Sequence, residues 1–299
     1  MITKRPFDGA PSMRYPAVAG AFYERSRDAL LRQIEACYTH PVGPGRLPTV
    51  RKGPRRLLGL VVPHAGYMFS GPVAAHAYAT LADDGWPSTF VILGPNHHGQ
   101  GAPLALTDHE WQTPLGIVPV DAALHSAMLK PPLEDDIRAH RDEHSVEVQL
   151  PFLQHLGQAV RFVPICMAFQ EYDLAAEVGE LLAGALKGND VVVIASSDFT
   201  HVGMQYNQLP PRGMSAPGFA KEQDAKAIEK ILALDPKGFA AKVAQADISM
   251  CGYGPVTSML TAAKKLGAAQ TKLLKYGSSS DVSHDEHMAV GYGAIAVYR

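Results

Sequence analysis

The feature that most constrains this chain is an alternation of short, continuous Val/Ile/Leu runs with stretches of helical spacing. LLGLVV (57–62), TFVIL (89–93), RFVPI (161–165) and VVVIA (191–195) carry no polar alternation. Strands of that kind bury both faces, as in a central sheet covered by helices. Helices are expected from Ser26, with Leu30, Leu31 and Ile34 at helical spacing, and over 72–82, 121–129, 145–156 and 171–187. Further helices are expected near 219–233, 236–246 and 253–266, with strands at 116–120, 272–276 and 294–298. The order predicts a three-layer α/β/α fold around a mostly parallel or mixed sheet. PVGPGRLPTVRKGPRR (41–56) reads as a surface connection, and no later linker separates two cores, so residues 1–299 are expected to form one domain.

Composition closes off several classes of function. A formal charge of −2 gives no basic footprint for nucleic acid or a membrane surface. No apolar run approaches the roughly 18 residues of a spanning helix, and the first 20 residues lack a signal peptide's apolar core. Three cysteines (Cys37, Cys166 and Cys251) cannot make a disulfide framework, which suits a cytoplasmic protein. The 13 histidines, 27 glycines and 23 prolines point instead to a site built on loops.

Polar clusters follow the expected strands. Pro63-His64-Ala65-Gly66-Tyr67 follows the first, Gly94-Pro95-Asn96-His97-His98-Gly99 the second, and Ser196-Ser197-Asp198-Phe199-Thr200-His201 the one at 191–195. Met250-Cys251-Gly252-Tyr253-Gly254-Pro255 opens a helix. In open α/β sheets the ligand crevice lies outside the carboxyl ends of the strands, so these clusters are expected to converge. Imidazole, thiolate and carboxylate are the standard transition-metal ligands. Cys251, expected at a helix N-terminus, gains a dipole that favours a thiolate. Asp198 either joins the site or caps a turn.

Arg141-Asp142-Glu143-His144-Ser145-Val146-Glu147 reads as a helix start, its acidic residues either capping it or supporting the ligands. Asp281–His287 reads as a polar loop, while His40, His76, His125, His155, Cys37 and Cys166 read as structural. No phosphate-binding GxGxxG or GxxxxGK[ST] pattern follows a strand, and no GxSxG elbow is present.

Together these stretches resemble the Memo family, the protein B component of the AmmeMemoRadiSam system. Val18-Ala19-Gly20-Ala21-Phe22-Tyr23, Thr113-Pro114-Leu115-Gly116 and Cys251-Gly252 add to the match, which runs from about residue 16 to 255. The resemblance implies a fold similar to the class III extradiol dioxygenases, which hold non-haem iron with two histidines and a carboxylate. It implies His64 and His97 as metal ligands, with Cys251 where those enzymes carry a glutamate. It also implies His201 as the catalytic base with Asp198 beside it, and Glu143, His144 and His98 as supporting residues. Iron or copper is the implied metal, with zinc possible, in a redox role. The implied partners are a radical-SAM enzyme, an AMMECR1-like protein and a small molecule or peptide. A thiolate makes the site softer than a dioxygenase triad, so an extradiol-type dioxygenase acting on a small aromatic substrate is the alternative. A hydrolase with Cys251 as nucleophile and His201 as base is the weaker one.

Overall fold

The four apolar runs become the centre of one large sheet. The computed structural model describes residues 13–157 and 159–299; the first twelve residues, where no apolar leader is read, lie outside it. Strand β1 (Met13–Arg14) precedes helix α1 (Arg27–Thr39), and β2 (Leu57–Val62) leads into α2 (Tyr67–Asp84). Next come β3 (Thr89–Pro95), β4 (Leu104–Leu106), β5 (Glu110–Thr113), β6 (Gly116–Val118), α3 (Ala122–Met128) and β7 (Glu134–Asp135). They are followed by α4 (Leu150–His155), β8 (Phe162–Met167), α5 (Tyr172–Leu186), β9 (Val191–Ser196) and β10 (His201–Val202). The chain ends with α6 (Ala216–Leu232), α7 (Pro236–Gln245), α8 (Tyr253–Lys265), β11 (Gln270–Ser278), α9 (Ser280–Ser283) and β12 (Ala289–Tyr298).

The large sheet has nine strands in the order β10-β12-β2-β9-β3-β8-β4-β7, with β11 paired to β12. Its middle is parallel, β2 with β9, β9 with β3 and β3 with β8, whereas β12 and β4 join antiparallel. The sheet is therefore mixed. Alternate residues of each central strand enter separate cores. Leu60, Val62, Phe90, Ile92, Val192 and Ile194 pack with α1, α2 and α4. Val61, Val91, Leu93, Val163, Ile165, Val193 and Ala195 pack under α5, α6, α7 and α8. This period-2 division gives the three layers.

Register positions the site. Val62 pairs with Ser196, and Ala195 with Leu93, so β2, β9 and β3 end side by side. The segments that follow them carry His64, Asp198 and His97 to one edge.

Three expectations need correction. The helix expected from 72 begins at Tyr67, with Pro72 inside it. Nearly all of its faces are buried, and that packing overrides the local preference of Pro for the first turn. The helix expected over 145–156 is a 3₁₀ turn (Glu147–Gln149) followed by α4, which starts at Leu150 with Pro151, a residue without an N–H to donate, in its first turn. The strand expected at 116–120 joins a separate three-stranded sheet, β1-β5-β6, instead of the central one. No described helix is long and apolar enough to cross a membrane.

Candidate metal centre

Two histidines reach the sheet edge with their tautomers already chosen. The single hydroxyl proton of Ser196 goes to the Ser145 carbonyl at 2.6 Å. Its oxygen accordingly accepts from Gln149 Nε2 at 2.8 Å and from His64 Nδ1 at 2.9 Å. His64 therefore carries its proton on Nδ1 and presents the Nε2 lone pair to the site. His97 is fixed in the same sense. Its Nδ1–H donates to Glu143 Oε1 at 3.0 Å while its backbone N–H donates to Oε2 at 2.6 Å. A carboxylate or hydroxyl behind the ring is the usual way a protein orients a metal-binding imidazole.

Cys251 completes the set. Its Sγ lies 3.2 Å from His64 Nε2 and accepts the Asp198 backbone N–H at 3.3 Å. The donor atoms of His64, His97 and Cys251 all lie within 4.8 Å of one another. In a tetrahedral zinc site donors sit about 3.3–3.6 Å apart, so small side-chain adjustments close this set around one ion. Gly252 lets the α8 start come this close. A Cβ there would meet the Ser196 carbonyl at 2.5 Å, and the Gly252 N–H donates to Ser197 Oγ at 2.9 Å.

The electrostatics of the three donors differ. Burial, reinforced by the neighbouring His97, holds His64 well below the ordinary imidazole range, so it stays neutral and able to ligate. Burial also works against charge on His97, but the Glu143 carboxylate outweighs it and favours a positive imidazole. Burial first, and the Asp198 charge second, push the Cys251 thiol up. The helix start expected to favour a thiolate is thus opposed by burial and by Asp198, and a metal ion beside the sulfur would restore that preference.

A cavity of about 340 Å³ opens beside this set, lined by His64 and His97 but not by Cys251. Asp198 and His201 both line it. Asp198 Oδ1 accepts the backbone N–H groups of His64, at 2.7 Å, and Ala65. It thus fastens the His64 loop besides facing the cavity. His201 donates Nδ1–H to the Ser249 carbonyl at 3.0 Å, which leaves Nε2 as the free acceptor. The imidazole that reaches Cys251 is His64, so the expected Cys251–His201 nucleophile–base pair does not form.

His144 also lines the cavity, its ring stacked on His97 with centroids 4.7 Å apart. Burial brings its pKa down to about 4, despite Glu143. His98 does not join them. The turn closed by Asn96 Oδ1 leaves it exposed and outside the lining. Glu147 is buried away from the cavity, paired with Arg14 and bonded to Tyr23 and the backbone of Ala17 and Val18. It anchors the N-terminal segment. His284 and His287 are exposed and outside the lining.

Sequence reasoning missed Gln149, Ser249, Phe69, Tyr206 and Tyr292. Single glutamines and aromatics at these spacings look like any core or surface residue, so no motif marks them.

Residues 14–296 match the family profile described as a Memo-like protein. A MEMO1 family protein of Methanopyrus kandleri is 47% identical over 292 residues, covering 96% of this chain and 99% of that one. One of Methanothermobacter thermautotrophicus is 43% identical over 289 residues, covering 95% and 100%. The crystal structure of an uncharacterized protein from Escherichia coli shares the fold, with TM-score 0.52 and 16% identity, over 80% of this chain and 99% of that one.

Proposed function

This chain belongs to the Memo family, and from that premise we propose that it binds a transition metal through His64, His97 and Cys251 in a redox-related role. One observation carries the reading. Two imidazoles, each with its Nδ1–H held by a fixed acceptor, stand with the half-buried Cys251 so that one donor atom from each of the three residues lies within 4.8 Å of the others. Three protein ligands leave a position open to the cavity, the arrangement of a working site and not of a closed structural one. The soft thiolate favours copper(I), zinc or thiolate-bound iron over the hard-ligand iron triad of a dioxygenase.

When bound, the metal would supply Lewis-acid or one-electron chemistry to a ligand in the cavity. The chain's own residues do the rest. His201 offers its Nε2 as an acceptor for a ligand proton, with its ring held by Ser249. Phe22, Phe69, Met288, Val290 and Tyr292 give the cavity an apolar wall against which the apolar part of a ligand can pack. Action alongside a radical-SAM enzyme and an AMMECR1-like protein belongs to the same proposal and rests on the family resemblance.

The test is elemental analysis of protein purified anaerobically without a metal-affinity tag, followed by copper(I) and zinc titration. Wild type should take up about one equivalent. Cys251→Ser, which exchanges a soft anionic donor for a neutral hydroxyl, should lose affinity while circular dichroism shows an intact fold. Undiminished affinity in folded Cys251→Ser would remove Cys251 from the site.

A further inference from the structure

The ligand-bearing turn at Cys251 is held from a strand that supplies no ligand. Gln170 lies three residues beyond β8, just ahead of α5. Its side-chain amide spans the turn. Nε2–H donates to the Cys251 carbonyl at 2.9 Å, and Oε1 accepts the Gly254 N–H at 2.8 Å. Helix α8 has glycine at its N-cap, and that cap makes no side-chain hydrogen bond of its own. Orphan N–H groups at a helix start must find partners elsewhere, and Gln170 supplies one of them. The fit is close: a Cβ at Gly254 would meet Gln170 Cβ at 2.7 Å.

We infer that Gln170 is a positioning residue that sets where Cys251 Sγ stands relative to His64 and His97. The inference rests on the metal reading proposed above. One planar amide fixes the carbonyl of Cys251 and the N–H three residues later, so the backbone carrying the thiolate cannot pivot. His64 and His97 each have a partner behind the ring. Cys251 has no such ring to orient, and the amide performs the equivalent task through its backbone.

Cobalt(II) is the probe, because a thiolate ligand adds a sulfur-to-metal charge-transfer band distinct from the d–d bands. Gln170→Ala removes both hydrogen bonds. Gln170→Glu keeps the acceptor for Gly254 but turns a second oxygen on the Cys251 carbonyl; should Gln170→Ala fail to fold, this variant carries the test. Gln154→Ala is the structural control. That amide makes the same kind of double bond away from the site, accepting from Thr113 Oγ1 and donating to the Gly116 carbonyl at 3.2 Å.

Both Gln170 variants should bind cobalt about 10- to 100-fold more weakly, the usual cost of losing a supporting partner. Their charge-transfer band should be weaker or shifted, while Gln154→Ala keeps the wild-type spectrum. Wild-type spectra and affinities in the Gln170 variants overturn the inference. So does an equal loss in Gln154→Ala, which would reveal general loosening. A wild-type protein that shows no thiolate band overturns the metal reading itself, and the inference with it.

Discussion

Replacing Ser196 by alanine tests whether the protein chooses the tautomer of His64. The hydroxyl donates to Ser145 and accepts from His64 Nδ1 and Gln149 Nε2, and all these residues are buried. Alanine deprives two buried donors and the Ser145 carbonyl of a partner, each worth about 1–3 kcal/mol, for a total of roughly 3–9 kcal/mol. Gln149 keeps its bond to the Pro63 carbonyl at 3.1 Å, which favours the lower half of that range. Against a typical domain stability of about 5–15 kcal/mol the loss is large but survivable. The metal should feel it separately. Without Ser196 the His64 proton is free to move to Nε2, and affinity should fall about 10- to 100-fold. Urea unfolding of metal-free protein reads the first effect, and competitive zinc titration the second. A destabilised variant with unchanged zinc affinity would refute the tautomer argument. Stability within about 0.5 kcal/mol of wild type, the usual range for a neutral surface change, would refute the hydrogen-bond reading.

Asp224 predicts a pH dependence away from the metal. Burial pushes it up from 3.8 to about 6, against the pull of Thr200 and Tyr276. A raised folded pKa means stability is full below about pH 4 and lost as pH rises to about 6, by roughly 3 kcal/mol at about 1.4 kcal/mol per unit. Asp224→Asn should flatten that slope in urea melts, and a slope that persists in the variant assigns it to another group. Arg14→Met should cost about 3–5 kcal/mol, because it leaves the buried Glu147 charge without its cation, held only by Tyr23 and two backbone N–H groups. Adding Glu147→Gln should recover part of that loss in the same melts; no recovery would show that the charge is not the cause. His201→Gln should retain metal by elemental analysis, since its Nδ1 is committed to Ser249 and it stands outside the ligand set. Metal loss in that variant would make His201 a ligand.

The central strands were legible because burial on both faces writes a continuous apolar run, and LLGLVV and VVVIA became β2 and β9. The short strands β4 and β7 left no such trace. Their pairing depends on the neighbours that reach them and not on their own pattern. Where a strand ends is also local information, so the positions of His64, His97 and Asp198 at the sheet edge could be read before the register was known. The roles of Glu143 and Glu147 could not. Both belong to one acidic, helix-like stretch, yet one carboxylate holds His97 and the other pairs with Arg14, more than 100 residues earlier in the chain. Ser196 stood in a visible motif, but its partners Ser145 and Gln149 come from a distant turn. Networks that choose a tautomer are tertiary facts, and a single sequence does not display them.

Whether His64, His97 and Cys251 together hold one metal ion can be read from X-ray absorption of protein loaded with one equivalent of zinc. The spectrum should show one sulfur scatterer at about 2.3 Å with imidazole nitrogens at about 2.0–2.1 Å, and Cys251→Ser should lose the sulfur. A shell of nitrogen and oxygen alone in the wild-type protein, or a sulfur that persists in Cys251→Ser, would contradict a site shared by these three residues.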